Sequence, residues 1–184
     1  MRRSPYKQYA SPEAAPTQTV LEHPTKPGVF LPVHRRPMRL QGVDYTSPEL
    51  VCFVTFNVET ECEVRFTGEI GRQAWGSLID ELERIGCRLF AACLMPDHAH
   101  LLVSPSGTGE SVSDIVRRVK TRCCAVLRQE QNIYLRWQAS FYDHILRDVE
   151  RQVDEFQAIR HYIYSNPERA ALGEAYPFRM LSIP

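Results

Sequence analysis

Apolar and polar positions change period several times along this chain, and each change marks an element. Residues 51–58, Val-Cys-Phe-Val-Thr-Phe-Asn-Val, are β-branched and aromatic and read as a buried strand. From 68 to 85, Ile70, Trp75, Leu78, Ile79, Leu82 and Ile85 recur at helical spacing, and Gly86 stands where a left-handed C-terminal cap belongs. Cys87 to Met95 predicts a second strand, Pro96-Asp97 a tight connection, and His98 to Val103 a returning third strand. Beyond the loop 104–109, a helix opens at Ser111-Val-Ser-Asp114, a capping-box-like start with Asp in place of Glu or Gln. It runs to about Gln129 with Ile115, Val119, Cys123, Val126 and Leu127 inward. A fourth strand falls around Phe141 to Leu146. A last helix covers about Val149 to Ser165 and is expected to stop before Pro167.

The order β-α-β-β-α-β-α, with a tight central hairpin, excludes an all-parallel sheet. It predicts an α+β, ferredoxin-like (RRM-like) antiparallel sheet with helices on one face, plus a C-terminal helix carrying a tyrosine. The opposite face is expected to be left for a substrate.

Composition changes this picture mainly at the N-terminus. Seven of the 13 prolines precede residue 40, among Ser, Thr, Gln and basic residues. Such a segment buries too little apolar surface to offset its ordering entropy. Residues 1–38 are therefore expected to be a basic, Pro-rich, disordered tail, and 39–184 a single folded domain. Formal net charge is zero, but residues 1–40 carry a surplus of five positive charges that the remainder cancels. The six cysteines show no C-x-x-C spacing, and neither a secretory leader nor a membrane-length apolar run is evident. They read as reduced cysteines, several facing the core, in a cytoplasmic protein.

The candidate chemistry begins at His98 and His100. Two apart on a strand, they share one face, while Ala99, Leu101 and Val103 face the core. That pair suits a metal ion and equally suits two ordinary surface histidines. On the last helix Tyr162 and Asn166 are four apart and share a face, with Tyr164 rotated roughly 200° away from Tyr162. An Asn carbonyl is a hard donor for Mg²⁺ or Mn²⁺, and a phenol needs such help to attack a phosphodiester. Capping and packing are the alternative roles for both. Arg117, Arg118, Lys120, Arg122 and Arg128 make the second helix basic, fit either for phosphate contacts or as a solvated face. Trp137, Phe141 and Tyr142 suit either base stacking or the core.

Four blocks in this order resemble the HUH single-tyrosine endonucleases: RLQGVDYTSPELVCFVTF, LMPDHAHLLV, WQASFYDHILRD and HYIYSNPERAAL. Within that group the chain is similar to the insertion-sequence-200-like transposases, and the NP-containing helix points to the REP-associated tyrosine transposase branch. The resemblance implies that His98 and His100 are metal ligands, that Asn166 completes the site, and that Tyr162 is the nucleophile. It further implies Mg²⁺ or Mn²⁺, a 5′-phosphotyrosine intermediate, and single-stranded, hairpin-flanked DNA as substrate in a bacterial, nucleoid-associated setting. A monomer is expected over a homodimer. The chain departs from the pattern at Ala99, at Glu168, where Val is usual, and at Ala171, where Gly is usual; Glu168 would bring a carboxylate near DNA. The competing readings are a domesticated protein that binds structured DNA without cleaving it, and a phosphodiesterase that uses water.

Overall fold

The computed structural model describes residues 20–22, 30–32, 43–146 and 149–182. Within the N-terminal segment, strands β1 (Val20–Glu22) and β2 (Phe30–Pro32) pair antiparallel. The rest of the expected tail, with the lead-in to residue 42, lies outside the described residues.

The core is a five-stranded sheet of β3 (Val51–Asn57), β4 (Arg88–Leu94), β5 (His98–Ser104), β6 (Tyr142–Leu146) and β7 (Arg179–Leu181). Its order is β6-β3-β5-β4-β7 with every pairing antiparallel. Four of these strands, with helices α1 (Gly68–Ile85) and α2 (Val112–Gln131), make the expected ferredoxin-like arrangement. The fifth, β7, adds an edge that no sequence period announced. Three residues are too few to show an alternation.

Local chemistry ends the helices as the sequence suggests. Gly86 takes φ 73° and its N–H reaches the carbonyls of Leu82 and Glu83. The Ser111–Asp114 capping box is complete, each side chain accepting from the other residue's backbone N–H.

The sheet is covered on both faces. Cys52, Val54 and Phe56 of β3 and Ala99, Leu101 and Val103 of β5 pack beneath α1 and α2. Phe53 and Leu102 point the other way, against Ile159 and Ile163 of the third helix, α3 (Val149–Arg169). The face expected to be left open for a substrate is thus largely roofed by α3, which touches β4, β5, β6 and β7. Among the described residues no helix is long and apolar enough to cross a membrane.

α3 also runs through Pro167 instead of stopping before it. The restriction on a pre-proline residue is a bias, and packing overrides it: Asn166 and Pro167 are both buried. This continuation matters, because it keeps Asn166 in helical register with Tyr162. Two residues past the end of the helix, Ala171 is a non-glycine residue at φ 56°. Left-handed geometry costs an L-residue with a Cβ roughly 1–2 kcal/mol, partly offset by glycine's larger unfolded-state entropy. Ala171→Gly is therefore expected to raise the unfolding free energy by about 0.5–1 kcal/mol in urea titration. A neutral or negative change would mean the cap is not strained.

Candidate active site

The pleat of β5 sets the site. His98 and His100 emerge on the face that α3 covers, and their Nε2 atoms converge to 3.1 Å. Each ring is held from behind. His98 Nδ1 meets the Asp97 carboxylate at 2.6 Å, and His100 Nδ1 meets the Thr55 hydroxyl at 2.8 Å. Thr55 and His100 are direct partners across the β3–β5 ladder, both essentially without solvent exposure. If both Nδ1 atoms donate to these oxygens, two Nε2 lone pairs face one point. Donors about 2.1 Å from one ion and at right angles lie about 3.0 Å apart, close to the observed separation.

Burial, helped by the neighbouring His98, holds the His100 imidazole well below its ordinary titration range, so it stays neutral. The hydrogen bond to His98 holds the Asp97 carboxyl below the usual carboxylate range, although partial burial pushes it up. Phe53 stacks against His100 with centroids 5.7 Å apart and 28° between planes.

α3 brings Tyr162 to this cluster. Its ring centroid lies 5.7 Å from that of His100 and 6.0 Å from that of Phe53, edge-on to both. Arg169, two turns later on the same helix face, places its guanidinium 5.4 Å from the Tyr162 ring centroid. Asn166 is 9% exposed, and its Nδ2 is buried without a hydrogen-bond partner. Turning that amide over would put a carbonyl oxygen in the same place. Among the described residues no three His, Cys, Asp or Glu side chains gather as a metal site. Asn166 itself offers a neutral amide one helical turn beyond Tyr162 on α3.

The basic residues of α2 lie elsewhere. That helix belongs to the opposite layer, so Arg117, Arg118, Lys120, Arg122 and Arg128 do not join the histidine–tyrosine cluster. Arg117 pairs with Asp114 at 3.2 Å, and Arg118 bridges buried Glu81 at 2.8 Å and Glu110. Lys120 donates to the carbonyls of Gln138 and Ser140, and burial lowers its ammonium to about 8. Arg128 lies over the Tyr134 ring. Trp137 packs against Phe56 and Phe66 in the core, and Tyr142 against Phe53. Glu168 is ion-paired with Arg179.

Sequence reasoning passed over Thr55 and Asp97. Thr55 carried a readable signal, a hydroxyl inside an otherwise apolar strand core. Asp97 stood next to His98 but was read only as a turn residue.

The sequence matches the family described as Transposase IS200 like over residues 54–166, and the chain belongs to that family. It is thus a member of a family of DNA-processing transposases. Its fold is similar to that of the REP-associated tyrosine transposase solved bound to a REP hairpin, with a TM-score of 0.58 and 18% identity. That similarity covers 77% of this chain and 82% of the other. An uncharacterised protein of Haemophilus influenzae is 22% identical over 165 residues, spanning 73% of this chain and 88% of the relative.

Because folded His100 refuses a proton, stability carries a pH signature. Above the ordinary imidazole value of about 6.5 both states are neutral here, and below it only the unfolded chain protonates. Stability is then lost as pH falls, by up to about 1.4 kcal/mol per unit for this one group. In chelator-treated protein, wild type should lose stability more steeply between pH 6.5 and 5 than His100→Gln. Equal slopes would show that His100 titrates as an exposed histidine does.

Proposed function

We propose that this chain cleaves and rejoins single-stranded DNA at hairpin-flanked ends, using Tyr162 as nucleophile and a divalent metal, Mg²⁺ or Mn²⁺. The observation that carries the reading is the convergence of the His98 and His100 Nε2 atoms, each ring braced from behind, with Tyr162 beside them. Family membership supports a DNA substrate, and the solved fold relative is named for the REP hairpin bound to it.

His98 and His100 would hold the ion through Nε2, with Asn166 as the third protein donor. When bound, the ion supplies positive charge to a scissile phosphate and to the developing phenolate. The chain's own residues do the rest. Asp97 and Thr55 fix the imidazole orientation and tautomer. Phe53 and the aliphatic face of α3 shield His100 from water. Tyr162 Oη attacks phosphorus in line as its proton leaves, forming a phosphotyrosine bond while the 3′-oxygen departs and takes up a proton. The covalent bond conserves the phosphodiester's energy, so a second strand's 3′-hydroxyl can reverse the step.

Incubation with single-stranded hairpin DNA and Mn²⁺ should give a denaturation-resistant protein–DNA adduct in wild type and none in Tyr162→Phe. Adduct formation by Tyr162→Phe would sink the assignment. A wild type that binds hairpins but never forms the adduct would instead favour a binding protein without cleavage.

Thr55→Val removes only the oxygen behind His100. Its expected effect is a weakening of Mn²⁺ binding by about 10–100-fold, read by calorimetry or by spin resonance of the free ion. Unchanged affinity would show that the Thr55 hydroxyl does not support a metal-bound His100.

A further inference from the structure

α3 rests on the sheet through apolar side chains, Ile159 and Ile163 against Phe53, Ala91 and Leu102. Such contacts are non-directional. They hold the layers together but only loosely resist sliding of the helix along its axis. A nucleophile carried on that helix tolerates little sliding, since misplacement by about 1 Å can cost about a hundredfold in rate. A polar, directional contact is needed to set the register.

Strand pairing locates one. Arg179 on β7 is the partner of Cys93 on β4, Cys93 is the partner of His100 on β5, and His100 is the partner of Thr55 on β3. Residues directly opposite across a ladder point to one face. Arg179 therefore stands in the same row of the sheet as His100, two strands away, beneath α3. From there Nη1 donates to the Tyr164 carbonyl at 2.8 Å and to the Glu168 carboxylate, while Nη2 donates to the Glu174 carbonyl. The guanidinium carbon lies 4.3 Å from the centre of the Tyr164 ring. The Arg179 side chain is only 8% exposed. The grip spans Tyr164 to Glu168, the turn that contains Asn166 and begins two residues after Tyr162.

We infer that Arg179 is a positioning residue for the strand-transfer reaction: its guanidinium fork fixes the axial register of α3, and so sets Tyr162 and Asn166 over the histidine pair. The inference rests on the function proposed above. It also gives Glu168 a role. The carboxylate is the side-chain half of the clamp, held charged by Arg179 and turned away from the nucleophile. Lysine would keep the ion pair but lacks the planar fork that serves several acceptors at once. Methionine would keep an apolar stem and lose every polar contact.

The test pairs adduct kinetics with amide hydrogen exchange, which needs no cleavage. At saturating hairpin, Arg179→Met should slow adduct formation roughly tenfold to a hundredfold, while hairpin affinity changes by less than about twofold. Arg179→Lys should fall between the two, and Glu168→Gln, the milder variant if Arg179→Met folds poorly, should slow the step in the same direction. Exchange protection should fall in α3 around residues 164–169 and stay unchanged in α2. Wild-type rates in Arg179→Met, or a rate loss that only tracks a uniform loss of protection in both helices, would overturn the inference. If wild type forms no adduct, the proposed function fails and exchange still decides the clamp: unchanged α3 protection in Arg179→Met overturns it.

Discussion

The pleat of β5 is the constraint on which the site depends. Ala99, Leu101 and Val103 are locked beneath α1 and α2, so His98 and His100 have one direction left, toward α3. A one-residue slip in pairing would bury both imidazoles in the apolar layer and turn three aliphatic residues outward. Burial of hydrocarbon on one face thus aims the nitrogen donors on the other. The turn that launches the strand is fastened as well. The N–H groups of Val58 and Phe66 donate to the carbonyls of Asp97 and Pro96, both at 2.8 Å. The histidines consequently rest on backbone that has little freedom to move.

The second half of the site comes from a different physical source. Tyr162 and Asn166 are aligned by helical repeat, because α3 does not stop at Ser165 but continues as helix to Arg169. Ile159 and Ile163 bring this face down on the sheet, and polar contacts hold it at both margins. His144 of β6 meets Glu155 at 3.0 Å on one side. On the other, Arg160 donates to the Ser182 carbonyl at 2.8 Å and Arg179 grips the last turns.

Much of this was legible in the chain. Period shows α1 and α2, residue type shows the Gly86 and Ser111–Asp114 caps but not the Asn132 cap that closes α2, and strand pleat and helical pitch put His98 with His100 and Tyr162 with Asn166. What stayed hidden came from pairing between distant segments. β7 is too short to show a pattern, and Arg179 gains its place only through two successive ladders. Thr55 meets His100 across a register that no local signal specifies. The continuation of α3 was missed for a related reason. A pre-proline bias is a local preference, whereas burial of Asn166 is decided by the whole fold.

The pairing of charges within the α2 layer has one more consequence. Arg117 and Arg118 face carboxylates, Lys120 holds two backbone carbonyls of the segment leading into β6, and Arg128 covers an aromatic ring. Arg118 and Lys120 are thus committed within the protein, while Arg117, Arg122 and Arg128 stay exposed. A carboxylate partner cancels a cation's field at a distance, whereas a carbonyl or an aromatic face leaves the charge in place. On this side of the molecule the long-range field is therefore a local balance, strongest at exposed Arg122 and Arg128 and weakened where Arg117 stands beside Asp114 and Arg118 beside Glu81 and Glu110.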